Sequence, residues 1–193
     1  MFRGLNRLRQ VDLRSNNLAT LAVGVFEGLS NLRAIYLQDN FIQQLDSRSF
    51  SQLPQLRLLQ LSRNQIGEVR VVALDNVPQL RKLVLRHNRL ESVPKILSPA
   101  TNATLAVEAL DLGYNNIRSL GANDFANWTR LEHVVFTHNR LASIDESAFY
   151  QHRHLKIVIC GKFNKISVEF DSHFSCSRWI SHPTNSKPFR TTC

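Results

Sequence analysis

Residues 80–90 read LRKLVLRHNRL, and this pattern of aliphatic residues with an asparagine at the ninth position decides the fold. This asparagine recurs every 24 residues, except for one step of 27 between Asn88 and Asn115. A fixed period in this range indicates a stack of similar units, because a single unit cannot bury its own apolar face. Five further copies, some with another apolar residue in place of leucine, begin at Leu8, Leu32, Leu56, Val107 and Leu131.

Apolar residues alternate within each copy of the pattern, which predicts one short strand of a parallel sheet in every unit. In the second copy we expect Ile35 and Leu37 to point into the core and Tyr36 between them to face outwards. A largely polar outward column predicts that one face of the parallel sheet is open, and we interpret this face as a binding surface. The outward column reads Asp12, Tyr36, Gln60, Val84, Asp111 and Val135.

Each asparagine stands where the chain turns away from its strand, and we interpret this column as structural. The amide side chain offers two donors and an acceptor, which can satisfy backbone groups that have no ladder partner. The column consists of Asn16, Asn40, Asn64, Asn88, Asn115 and Asn139. Ten positions after most of them another apolar column predicts a packed spine on the opposite side, made of Phe26, Phe50, Leu74, Phe125 and Phe149.

These columns resemble the typical 24-residue subtype of the extracellular leucine-rich repeat family, from Phe2 to about Cys160. The chain looks similar to the ectodomains of Toll-type receptors and to secreted invertebrate members. The resemblance implies an α/β fold: a curved horseshoe solenoid with a parallel β-sheet on the concave face and irregular or short helical segments on the convex face. It also implies an extracellular module that binds a protein ligand or co-receptor on the concave face, sometimes as a dimer.

The register predicts a repeat array over residues 1–166 and a degenerate carboxyl-terminal cap or tail over residues 167–193. Phe2 stands 24 positions before Phe26, so the register starts before Met1, and we expect a fragment of a longer solenoid. No apolar signal-peptide segment precedes the repeats. At the other end Phe163 takes the asparagine position. The step of 27 residues predicts an enlarged loop on the convex side, around Pro94 and Pro99.

Two sequons fall outside the predicted strands, at Asn102 and Asn127, where a glycan would not block the sheet. Cys160 occupies a core position of a strand, and we expect a buried thiol. Cys176 and Cys193 are left as candidates for a disulfide, which would contribute on the order of 3 kcal/mol in an exported chain. Whether the sequons and this disulfide are used stays open.

The net charge of +9 predicts attraction to anionic surfaces, among them sulfated glycans. Four arginines occupy the same column in successive units, about 4.8 Å apart, and predict a basic ladder along one edge of the concave sheet. A plain solvated surface is the alternative interpretation. Tyrosine and arginine are frequent anchors of interfaces. The predicted ligand-binding residues are therefore Arg9, Arg33, Tyr36, Arg57, Arg81, Arg86, Tyr114 and His138.

Catalysis is disfavoured, because the sequence has no glycine-rich phosphate loop, G-x-S-x-G elbow or H-E-x-x-H motif. We expect no catalytic residue, metal site or cofactor, and we interpret His133, His138, His152 and His154 as surface histidines. Nucleic-acid binding is disfavoured because many phenylalanines fall in core columns. No apolar run approaches the roughly 20 residues of a membrane span. An intracellular scaffold or substrate adaptor is the alternative function.

Overall fold

The computed structural model describes residues 2, 4–70, 73–96 and 105–160, and the backbone of residues 178–179. Among these residues one parallel eight-stranded sheet runs the length of the molecule, in the order β1-β2-β4-β6-β7-β9-β11-β12. Two small parallel sheets pair β3 with β5 and β8 with β10. The strands are β1 (Gln10–Asp12), β2 (Ala34–Tyr36), β3 (Gln44–Leu45), β4 (Leu58–Gln60), β5 (Glu68–Val69), β6 (Lys82–Val84), β7 (Ala109–Asp111), β8 (Ser119–Leu120), β9 (His133–Val135), β10 (Ser143–Ile144), β11 (Ile157–Ile159) and β12 (Arg178–Trp179).

Each strand of the large sheet is aligned with the equivalent strand of the next repeat. Val11 is opposite Ile35, and Ile35 is opposite Leu59, so the same column returns in every layer. Ile35 and Leu37 are fully buried while Tyr36 between them is half-buried, which confirms the predicted alternation. The core therefore lies on one face of the sheet, and the parallel-strand solenoid predicted from the period is confirmed.

Five of the six asparagines join their repeat to the one before it. Asn64 donates from Nδ2 to the Leu37 carbonyl of the preceding repeat at 2.9 Å and to the Leu61 carbonyl of its own repeat at 3.1 Å. Its Oδ1 accepts from the N–H of Ile42 at 3.0 Å. The same three bonds, all between 2.8 and 3.1 Å, recur at Asn40, Asn88, Asn115 and Asn139.

Two members of the column are informative, one because it lacks the bonds between repeats and the other because it keeps them in a longer unit. Asn16 is exposed and donates only within its own turn, to the carbonyls of Leu13 and Arg14. Asn115 closes the unit of 27 residues, yet it donates to Leu85 and Leu112 at the same distances as its equivalents. The three additional residues are thus accommodated away from the asparagine turn. The enlarged loop predicted for this unit includes residues 97–104, which lie outside the described residues.

Aromatic rings form the spine of the convex side. The rings of Phe26 and Phe50 stack with centroids 5.6 Å apart, and those of Phe125 and Phe149 with centroids 4.9 Å apart. The segments around them are turns, so the irregular convex face is as expected. The part of the chain that the structure describes has no helix, and therefore none that is long and apolar enough to cross a membrane.

His152 lies in the core, so its interpretation as a surface histidine is wrong. It stands thirteen positions after Asn139, in the column that Leu29, Leu53 and Trp128 fill in other repeats, and it is only 4% exposed. Its Nε2 lies 3.0 Å from the Phe125 carbonyl, while Nδ1 has no partner among the described residues. Burial lowers the pKa of His152, because the charged ring would lose its hydration.

The buried asparagines should be worth several times more to stability than the exposed one. Asn88→Ala removes bonds to the Leu61 and Leu85 carbonyls and leaves the buried N–H of Ile66 without its acceptor. We expect the free energy of unfolding to fall by about 2–4 kcal/mol, measured by urea denaturation. Asn16→Ala is the control, with an expected loss below about 1 kcal/mol. Equal losses would contradict a role for the asparagines in joining repeats.

His152 should make stability sensitive to mild acid. A lowered pKa in the folded state means that the stabilising contribution is complete above the unfolded value of 6.5 and is lost as the pH falls through the folded pKa. Carboxylates titrate mainly lower, so the free energy of unfolding is compared at about pH 7 and about pH 5.5. We expect His152→Leu to flatten this dependence and exposed His154→Gln to leave it unchanged. A His152→Leu variant with the wild-type slope would refute the assignment.

Candidate functional site

The concave face of the large sheet is the open face in the described structure: its strands contact one another and no strand of the two small sheets, and residues of its central column keep part of their surface exposed. Its central column is half-buried at Tyr36, Gln60, Asp111 and Val135. Val84 departs from the expected solvent-facing pattern, because it is 5% exposed although it lies outside the core, between Gln60 and Asp111 of the neighbouring strands. The face therefore offers mostly polar atoms to a ligand.

The arginine ladder runs along the edge where the strands begin. The backbone N–H of Arg33 donates to the Arg9 carbonyl at 2.8 Å, that of Arg57 to Arg33 at 2.8 Å, and that of Arg81 to Arg57 at 3.0 Å. These residues thus stand at one level of four consecutive layers. Arg81 differs from the others because its Nη1 pairs with Glu108 Oε1 at 2.9 Å. Within the described residues no carboxylate lies within 4.0 Å of the side chains of the other three.

A second column follows the strands, at the position just before each asparagine. All its members have left-handed backbone geometry, with φ between 52° and 57°. Non-glycine residues rarely adopt such angles. The adjacent asparagine bonds hold the turn in this shape, so the side chains before them point the same way in every repeat. The column consists of Ser15, Asp39, Arg63, His87, Tyr114 and His138.

Three members of this column form a continuous ring stack, consisting of His87, Tyr114 and His138. The centroids of His87 and Tyr114 are 4.1 Å apart with an interplanar angle of 22°, and those of Tyr114 and His138 are 4.0 Å apart with an angle of 11°. Both faces of the Tyr114 ring are therefore covered by its neighbours. The stack can offer a ligand the hydroxyl group and ring edges of its members rather than the tyrosine face.

The guanidinium group of Arg86, in the adjacent column, lies over the Tyr114 ring of the stack. Its guanidinium carbon is 4.4 Å from the centroid of the Tyr114 ring, and its Nη1 is 4.0 Å from Asp111 Oδ2. Gly113 leaves the space that this arrangement needs, because a Cβ added there would lie 2.9 Å from Arg86 Nη1 and 3.0 Å from Thr137 Oγ1. The guanidinium group is thus held between a carboxylate and an aromatic ring, at cation–π distance.

The electrostatic surroundings disfavour a charged His87. Its pKa is lowered first by burial and then by repulsion from the Arg86 and Arg63 guanidinium groups, while Asp111 opposes the shift. His87 therefore carries less positive charge near neutral pH than a free imidazole would. A neutral ring has one donor and one acceptor nitrogen, so this part of the face combines hydrogen-bonding groups with the fixed charge of Arg86.

The predicted ligand-binding residues fall into three groups. Arg86, Tyr114 and His138 come together in the cluster just described, and Arg9, Arg33, Arg57 and Arg81 form the ladder at the opposite edge. Tyr36 is separate, with the guanidinium carbon of Arg14 5.5 Å from its ring centroid. Sequence reasoning did not assign His87 and Gly113 to the site. Their signal was the fixed position of each relative to Asn88 and Asn115, which aligns them with the neighbouring columns.

The described residues include only some of the other predicted sites. Asn127 is half-buried in a convex turn, where its carbonyl accepts a hydrogen bond from the N–H of Leu105. Cys160 is a buried free thiol, and burial raises its pKa to about 12. Asn102, Cys176 and Cys193 lie outside the described residues. In the described ranges no group of three or more histidine, cysteine, aspartate or glutamate side chains is arranged to hold a metal ion.

Comparison with known proteins points to one family. The family model described as "Leucine rich repeat" matches residues 6–66 and 78–141. A chain in the crystal structure of the mouse RP105/MD-1 complex is 26% identical and superposes with a TM-score of 0.69 over 80% of this chain and 26% of its own length. A chain in the structure of the Drosophila Toll–Spatzle complex is 22% identical, with a TM-score of 0.62 over 83% of this chain and 24% of its own.

These solved structures are much longer than the present chain, which spans about a quarter of each. The Toll–Spatzle complex, described as a molecular hub in development and innate immunity, shares the fold. None of the curated proteins matches the chain.

Removal of the Arg86 charge should raise the pKa of His87. In Arg86→Gln the repulsion from Arg86 disappears while that from Arg63 remains, and Asp111 loses the guanidinium beside it and can favour the imidazolium more strongly. Both effects raise the pKa of His87. The measurement is an NMR titration of the histidine ring protons, with Arg118→Gln as the matched control because Arg118 is exposed and outside the large sheet. An unchanged or lower His87 pKa in Arg86→Gln would show that the electrostatic picture is wrong.

Proposed function

The chain belongs to the leucine-rich repeat family, and we propose that it is a non-catalytic module that recognises a protein ligand on the concave face of its sheet. The centre of this interface is the cluster of Arg86, His87, Asp111, Tyr114 and His138. The proposal extends to the whole protein: a cell-surface receptor or a secreted immune or matrix protein that acts outside the cell.

The proposal rests on the ring stack, which lies on an open face and whose side chains have little conformational freedom. Left-handed φ angles fix the origin of each side chain, and the stacking of His87 and His138 on both sides of Tyr114 restricts its rotamers. Side chains that are ordered before binding lose less conformational entropy when the partner arrives. Arginine and tyrosine are also the residue types that most often contribute large fractions of binding energy.

The chemistry of the cluster suggests what the ligand presents. The Tyr114 hydroxyl, the imidazole edges and the guanidinium of Arg86 can donate hydrogen bonds, while Asp111 already accepts one from the Gly113 N–H at 2.9 Å. A protein surface with carbonyl or carboxylate oxygens would match these donors. Burial of the guanidinium against such an acceptor would give a charge-assisted bond, which is stronger than a neutral one.

Two further features support an extracellular protein ligand. The similar solved structures are complexes of much longer proteins with the protein partners MD-1 and Spatzle. Asn127 lies in a convex turn, so a glycan attached there would leave the concave face accessible. We propose that Asn127 and Asn102 are glycosylated in the exported protein.

The test compares two tyrosine variants in a binding experiment. Immobilised wild-type chain, Tyr114→Ala and Tyr150→Ala are each incubated with extracellular fluid from the source tissue, and retained proteins are quantified by mass spectrometry. Tyr150 is the matched control because it is 74% exposed and stands next to Phe149 of the convex spine. We expect a specific ligand to bind wild type and Tyr150→Ala equally and Tyr114→Ala at least about tenfold more weakly, since an anchor tyrosine is worth about 2 kcal/mol.

Two results would count against the proposal. If every retained protein bound Tyr114→Ala as well as wild type, the ring stack would not be the centre of the interface. If Tyr150→Ala lost the same proteins, the convex side would be the binding surface.

A further inference from the structure

We infer that the first half of the concave face holds a second, separate binding site, for a linear sulfated glycan that lies across the strands along Arg9, Arg33 and Arg57. This site shares no residue with the ring stack and does not depend on the protein-binding function proposed above. It is defined by the described arginine ladder and its immediate neighbours on β1, β2, β4 and β6.

Among the described residues Arg9, Arg33 and Arg57 have no ion-pair partner, whereas equivalent residues further along the column have one. In the same column Arg81 pairs with Glu108 at 2.9 Å, and Lys156 pairs with Glu132 at 2.8 Å. Arg9, Arg33 and Arg57 are exposed, and within the described residues no carboxylate comes within 4.0 Å of any of them. Like charges in neighbouring layers repel each other, so an anion that bridges them would relieve a cost already present in the fold.

The backbone positions of the ladder arginines are evenly spaced, one layer apart. Each ladder residue after Arg9 donates its backbone N–H to the carbonyl of the one before, so the guanidinium groups start from equivalent points one layer apart. With about 4.8 Å between strands, three successive residues span about 10 Å in a straight line. Exposed Lys82 on β6 continues the positive surface beside Arg81. A chain polymer with regularly spaced anionic groups fits such a line better than a compact anion.

The residues beside the ladder favour a sulfated glycan over other classes of polyanion. Proteins that hold single-stranded nucleic acids combine basic residues with aromatic faces on which bases stack. Beside the ladder the strand residues are Gln10, Ala34 and Leu58, and the next outward column has a single ring in these repeats, Tyr36, with the guanidinium carbon of Arg14 5.5 Å from its centroid. An acidic protein segment would gain little apolar burial from half-buried Ala34 and Leu58. A sulfated glycan needs only the charges, because its sulfate groups accept the paired donors of a guanidinium.

The experiment measures the affinity of the full chain for size-defined heparin oligosaccharides by isothermal titration at several salt concentrations. The test variant is Arg9→Gln with Arg33→Gln and Arg57→Gln. The matched control is Arg89→Gln with Arg118→Gln and Arg140→Gln, which removes the same charge from exposed arginines outside the large sheet. Thermal unfolding of both variants checks that the fold is retained. Desulfated heparin, a single-stranded oligonucleotide and polyglutamate serve as competing probes.

We expect the test variant to bind heparin about tenfold more weakly or worse, with a shallower salt dependence, because three ion contacts are lost together. The control should change by less than about threefold, since distant charges are screened. Desulfated heparin should bind more weakly than heparin.

Equal losses in both variants would overturn the inference, because attraction would then follow net charge alone. An oligonucleotide or polyglutamate that binds as tightly as heparin would overturn the assignment of the ligand class. A Tyr114→Ala variant should keep its heparin affinity, which separates this test from that of the protein-binding cluster.

Discussion

The hydrogen bonds of the asparagine column are the interaction on which the rest of the structure depends. Each buried asparagine satisfies a carbonyl of its own turn, a carbonyl of the preceding repeat and an N–H of the preceding repeat. These groups would otherwise be buried without partners, at a cost of about 1–3 kcal/mol each. The residue before every asparagine, Asn16 included, has a left-handed conformation beside the bonds that the asparagine makes within its own turn. One side chain thus closes the turn, joins two layers and aims the column from which the ring stack is built.

Most of the fold could be predicted from the sequence, because a fixed period assigns each residue to a column and each column has one environment. Ile35, Leu37 and Tyr36 occupy the positions that alternation requires. His152 is a residue whose position in the repeat and residue type favour opposite environments. Its position after Asn139 placed it in a core column, but its residue type led to a surface interpretation.

The sequence predicts three members of the candidate site, but it predicts neither the other members nor the geometry. Arg86, Tyr114 and His138 were selected by residue type and outward position. Their convergence depends on left-handed turns and on side-chain directions, which the period does not encode. The period does not encode the space that Gly113 leaves for Arg86 either, because this space follows from a close approach between neighbouring columns. Likewise the pairing of Arg81 with Glu108 divides the ladder into paired and unpaired arginines.

The unit of 27 residues has a consequence for how such a surface can evolve. Asn115 makes its bonds to Leu85 and Leu112 at the same lengths as asparagines that close shorter units. A change in chain length between two successive strands of the large sheet therefore leaves the alignment of the concave columns unaltered. Insertions and deletions on the convex side become nearly neutral with respect to recognition, while substitutions in the outward columns alter it directly. The fold thus separates variation in length from variation in specificity, so that each can be selected on its own.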